Sequence, residues 1–90
     1  MTWPFDQARN VACLSSRAVI AGAPPLVVTH YEDDHSWAFL AGEEASEPVV
    51  VAMSRVIDLY PELLQLADLP PGWTATRDAA DRPWHRRRSA

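Results

Sequence analysis

The chain has 90 residues and a formal net charge of −4 at pH 7, with 48% apolar and 22% charged residues, ordinary values that exclude wholesale disorder. This length makes one small domain, with no room for a catalytic domain plus a regulatory one. A single cysteine excludes an internal disulfide framework and any multi-cysteine zinc or iron–sulfur site.

Charge is divided unevenly along the chain. All eight basic residues are arginine; residues 1–76 carry three against ten acids, and residues 77–90 carry five against Asp78 and Asp81. The body is therefore acidic and the end basic. An acidic body is repelled by phosphate backbones and anionic lipid, so neither nucleic acid nor membrane is an expected partner. The stretch from Val11 to Ala23 ends in Ala-Gly-Ala like a signal-peptidase site, but Arg17 interrupts its apolar run and Asp6 stands where a basic region belongs. No run approaches the ~20 apolar residues of a membrane-spanning helix. A cytoplasmic protein is expected.

Residues 1–10 read as an irregular lead-in, because Pro4 blocks a helix, and it tucks an aromatic of Trp3 or Phe5 against the body. Val11 to Leu14 is a short buried strand. Ser15 and Ser16 cap a single helical turn, Arg17 to Ala21, that Gly22 ends. Pro24-Pro25 opens the clearest strand, Leu26 to Tyr31, rich in β-branched residues. The polar Glu32-Asp33-Asp34-His35-Ser36 turns the chain into a second strand, Trp37 to Ala41, stopped at Gly42, and the pair forms an antiparallel hairpin. Alternation puts Leu26, Val28 and His30 on one face and Val27, Thr29 and Tyr31 on the other. Both faces are fairly apolar, so one is expected to meet a helix and the other a partner chain or the N-terminal segment.

Glu43 to Pro48 is an acidic loop, and Val49 to Met53 is a third strand. The spacing of Ile57, Tyr60, Leu63, Leu64 and Leu66, with Pro61 at a fresh first turn, predicts one kinked or two short helices over 54–67. Leu69-Pro70-Pro71-Gly72 stops them, and Trp73 to Arg77 forms a last strand. Strands, helix and strand without regular βα alternation give an α+β domain with an antiparallel sheet of three to five strands packed with one or two short helices. The expected organisation is a lead-in over 1–10, a single domain over 11–77 and a polar, Arg-rich tail over 78–90, read as a frayed, solvated terminus.

Chemistry-bearing residues are few. His30 and His35 flank Glu32, Asp33 and Asp34, and this nitrogen and oxygen set is of the kind that zinc or another divalent ion accepts. A small metal-dependent hydrolase using His30, Asp33, Asp34 and His35 is accordingly the alternative function. The commoner arrangement is a solvated hairpin tip with His30 hydrogen-bonded within the sheet, and no metal site is expected. Cys13 lies in an apolar run, where a free cysteine usually acts as a small hydrophobe rather than a nucleophile. Gly22, Gly42 and Gly72 stand too far apart for a phosphate-cradling loop. No catalytic residue and no cofactor are expected. Of four tryptophans, Trp37 and Trp73 suit the core, while Trp3 and Trp84 near the ends are open to packing or exposure; since exposed aromatics anchor protein interfaces, this content together with the acidic body points to a binding role. Glu32, Asp33, Asp34, Trp37, Glu43 and Glu44 are the candidate contacts for a partner protein with a basic surface, and a homodimer is a further option.

Several segments in order resemble a known family. They are Ser15-Ser16-Arg17, the strand into His30, Asp33-Asp34 with Ser36-Trp37-Ala38-Phe39-Leu40, Val56-Ile57-Asp58 before Pro61, and Leu69 to Arg77. This pattern, over residues 11–84, is similar to small bacterial domains of unknown function related to immunity protein 33 of polymorphic toxin systems. The resemblance implies an α+β fold and, for some relatives, neutralisation of a toxin by binding it. It implies no catalytic residues.

Overall fold

The computed structural model describes residues 3–42 and 47–89. Its strands are β1 (Ala12–Ser15), β2 (Val27–His30), β3 (Trp37–Leu40), β4 (Val49–Ala52), β5 (Trp73–Thr76) and β6 (His85–Arg88). Helix α1 (Arg17–Ile20) follows β1, α2 (Met53–Leu59) follows β4, and a 3-10 helix over Pro61–Leu66 continues from α2 after Tyr60. The expected kink at Pro61 is thus a change of helix type. Proline fits the first turn of the new helix because its missing N–H has no intrahelical acceptor there.

The strands form one sheet in the order β4-β1-β3-β2-β5-β6. This corrects the expectation of three to five antiparallel strands in two respects. The sheet has six strands, and it is mixed, because β1 runs parallel to β3 with Leu14 opposite Ala38 and Ser15 opposite Phe39. The β2–β3 hairpin returns with β3 on the inside, against β1. Ser16, expected to cap α1, makes no side-chain cap; it joins the parallel pair, donating its N–H to Phe39 O at 3.1 Å and accepting Ala41 N–H on Oγ at 2.9 Å.

Register assigns the two faces. His30 opposes Trp37 and Trp73, Val28 opposes Phe39 and Ala75, and Cys13 opposes Val51. These residues share the face on which α1, α2 and the 3-10 helix pack, giving a core of Phe5, Cys13, Val19, Val28, Trp37, Phe39, Met53, Val56, Ile57, Leu63 and Leu66. Tyr60 extends the tie between the helices by donating from Oη to Val19 O at 2.6 Å.

The basic end is a strand rather than a frayed terminus. Arg86 opposes Ala75, and its guanidinium reaches the 3-10 helix end, donating to Asp68 Oδ1 at 2.6 Å and Gln65 O at 2.9 Å. The connection from β5 is fixed by Arg77, whose side chain is 2% exposed. Its Nε and Nη2 donate to Pro25 O at 3.1 and 2.9 Å, its Nη1 donates to Ala80 O at 2.9 Å, and Glu62 lies 3.6 Å away. Trp84 stacks on the same guanidinium at 4.3 Å. At Gly72 the backbone has φ +84°, and a Cβ would meet the Glu32 carboxylate at 3.3 Å, so the turn before β5 requires glycine.

Two outcomes follow for the C-terminal strand. Arg77→Met leaves buried carbonyls without donors and is expected to lower unfolding free energy by about 3 kcal/mol, with Arg77→Lys losing less, as read from urea titration. Arg86 holds the Asp68 carboxyl below the usual carboxylate range. The folded state therefore binds that proton less readily than the unfolded chain, and the contribution present above about pH 4 fades as pH falls further. Asp68→Asn is expected to flatten the acid limb of the stability–pH curve slightly, since the pair is exposed and screened.

Candidate protein-binding surface

The hairpin tip is a built turn. Asp34 Oδ1 accepts Ser36 N–H at 3.0 Å, a side-chain turn that also holds the Asp34 carboxyl below its ordinary range. Tyr31 N–H donates to Ser36 O at 2.8 Å, and His35 takes φ +58°, a left-handed conformation that few side chains adopt. Glu32, Asp33, Asp34 and His35 are exposed, whereas Trp37 is 1% exposed and offers a partner no surface. Glu43 and Glu44 lie outside the described residues.

An N-terminal clamp holds this tip. Gln7 Nε2 donates to His35 O at 2.6 Å while its Oε1 accepts Trp37 Nε1–H at 2.9 Å. Trp3 Nε1–H donates to Gln7 O at 2.6 Å, and Phe5 meets Trp37 edge-on at 5.1 Å. The lead-in thus tucks Phe5 into the core, as expected. Nothing in the sequence marks Gln7, because one amide in an irregular segment carries no periodic or motif signal.

His30 is buried within the sheet, stacked on Trp37 at 4.1 Å, and its Nδ1–H donates to Leu69 O at 2.7 Å. The His30 and His35 ring centres lie 6.0 Å apart. Asp34 is bound to Ser36, and no group of three or more His, Cys, Asp or Glu able to hold a metal ion occurs among the described residues. Cys13 is buried, and desolvation pushes its thiol up to about 12, so it stays protonated at neutral pH.

The other sheet face is the broader surface. Register places Val50 and Ala52 of β4, Ala12 and Leu14 of β1, Ala38 and Leu40 of β3, Val27 and Thr29 of β2, Thr74 and Thr76 of β5, and His85 and Arg87 of β6 upon it. No acidic residue is among them, in a chain with twelve acids. Sheet faces turned to water ordinarily alternate to polar side chains, yet here Val50 is 67% exposed, Leu14, Val27 and Leu40 are half-buried, and Ala38 is buried. Three hydroxyls on its β2–β5–β6 side form a chain: Thr29 and Thr74 lie 3.2 Å apart, and Thr74 and Ser89 2.6 Å. All helices pack on the opposite face, and among the described residues no helix is long and apolar enough to cross a membrane.

Gln7→Ala is expected to lower stability by about 1–3 kcal/mol, because it strips partners from both Trp37 Nε1 and His35 O. Gln7→Glu, which keeps an acceptor for Trp37, falls between the two in urea midpoint. Comparison with protein-family models, curated proteins and solved structures finds no match for this chain.

Proposed function

We propose that this chain is a non-catalytic protein-binding module of the immunity type, engaging a partner protein through the open face of its sheet. The observation that carries this reading is the composition of that face: apolar side chains from β1 to β4, a Thr29–Thr74 hydroxyl pair, His85 and Arg87 at one side and no acid, with no helix laid over it among the described residues. Apolar area of this kind supplies affinity once water is displaced, while satisfied hydroxyls cost little to cover.

The acids supply the second element. Glu32, Asp33 and Asp34 project from the tip of the β2–β3 hairpin, beyond the ends of the two central strands of the same sheet. A negative cluster beside an apolar surface steers a basic partner toward it and raises the association rate more than the final affinity. The resemblance to immunity-type domains agrees with this division of labour, a toxin being the class of partner it implies.

The test is co-expression and co-purification with the products of the neighbouring genes, followed by binding kinetics with the protein captured. Val27→Lys, placed mid-face where its stem stays on the sheet, is expected to weaken affinity at least about tenfold. Asp33→Asn with Asp34→Asn is expected to slow association at low salt and flatten its salt dependence. Unchanged affinity for Val27→Lys contradicts the assigned face. Stoichiometric metal that His30→Ala removes, together with hydrolytic turnover, contradicts the non-catalytic reading.

A further inference from the structure

The two edges of the sheet are unlike. β6 is an edge strand of one histidine and three exposed arginines, and charge of this kind discourages edge-to-edge pairing. The opposite edge, β4, reads Val-Val-Val-Ala and carries no charge. Met53 N–H donates to Val11 O at 2.9 Å. Continuing that antiparallel ladder, residues 51 and 49 direct their backbone groups to Cys13 and Ser15 of β1, while Val50 directs its N–H and C=O, and Ala52 its N–H, away from it, the Ala52 C=O serving as the N-cap carbonyl of α2. No partner for these outward groups is found among the described residues.

We infer that β4 is a homodimer edge, pairing antiparallel with β4 of a second copy about a two-fold axis through Val51. In this register Val50 of each copy faces Ala52 of the other, and in each pair the Ala52 N–H donates to Val50 O. A register about Val50 instead sets Ala52 opposite Pro48, which has no N–H to give.

Charge favours the same antiparallel direction. Glu47 precedes β4 and Arg55 follows it in the first turn of α2; both are exposed, and neither has an ion pair among the described residues. Antiparallel pairing about Val51 brings the Glu47 end of each β4 toward the first turn of the other copy's α2, which carries Arg55, twice over. A parallel arrangement brings like charges together. The axis stands normal to the sheet, so both helical layers stay on one side and the two open faces become one continuous surface. The pairing also covers Val50, the most exposed of the large apolar side chains. This inference goes beyond the partner-binding reading, since it concerns an edge and not a face.

Sedimentation of the purified chain from micromolar to millimolar concentration tests it. The expected result is a reversible monomer–dimer equilibrium that Val50→Lys abolishes, with far-UV circular dichroism unchanged. Glu47→Arg alone and Arg55→Glu alone are each expected to weaken the dimer about tenfold, and the double swap to restore it. The double swap also serves if Val50→Lys fails to fold. A chain that stays monomeric throughout overturns the inference, as does a dimer indifferent to Val50→Lys, or a double swap no tighter than either single variant.

Discussion

A six-stranded sheet has two faces, and the described residues carry three short helical segments, all packed on one of them. That inequality constrains everything else. The covered face takes the large side chains: Trp37 and Phe39 from β3, Val28 and His30 from β2, closed over by Met53, Val56, Leu63 and Leu66. A buried row of this size is worth several kcal/mol per large side chain removed. In a domain this small, with little buried surface to spare, that row is the main source of stability. The uncovered face has to be tolerated in water by other means, and the Thr29, Thr74 and Ser89 hydroxyls moderate only one side of it.

The peripheral segments serve the covered row. The lead-in brings Phe5 against Trp37, and Gln7 ties Trp37 to the hairpin tip, so the irregular N-terminal residues close one end of the core. Arg77 and Trp84 close the other end as a stacked pair anchored on Pro25 O. A buried arginine is costly unless its donors are matched, and here carbonyls and Glu62 match them. The acidic tip is left exposed beside an apolar surface, the combination expected of a module that attracts a basic partner before docking it.

Local pattern made most strands legible. β-branched runs behind proline located β2 and β4, the aromatic run from Trp37 stopped at Gly42 located β3, each to within a residue or two, and the spacing of Ile57, Tyr60 and Leu63 located the helices. Pairing was less legible, because it depends on residues far apart. β6 has no apolar alternation, and its strand character comes from the ladder offered by β5. The parallel β1–β3 contact likewise depends on which hairpin strand lies inside. Among the candidate contacts, Asp33 and Asp34 stand exposed as the turn residues suggested, whereas Trp37 is buried. Aromatic content alone does not separate a core tryptophan from an interface one; its register with His30 does. The open face was legible as a question, since both faces of the hairpin are apolar, and the one-sided helical layer answers which face is left over.

The account rests on that face being bare in the free protein. A soluble paramagnetic probe, added to methyl-labelled protein at monomeric concentration, measures it directly. The account predicts strong broadening of Val50 and clear broadening of Leu14, Val27 and Leu40, with Val28, Val56 and Leu63 unaffected. Protection of Val27 and Leu40 equal to that of Val28 contradicts it, because some part of the chain then covers the sheet on both sides.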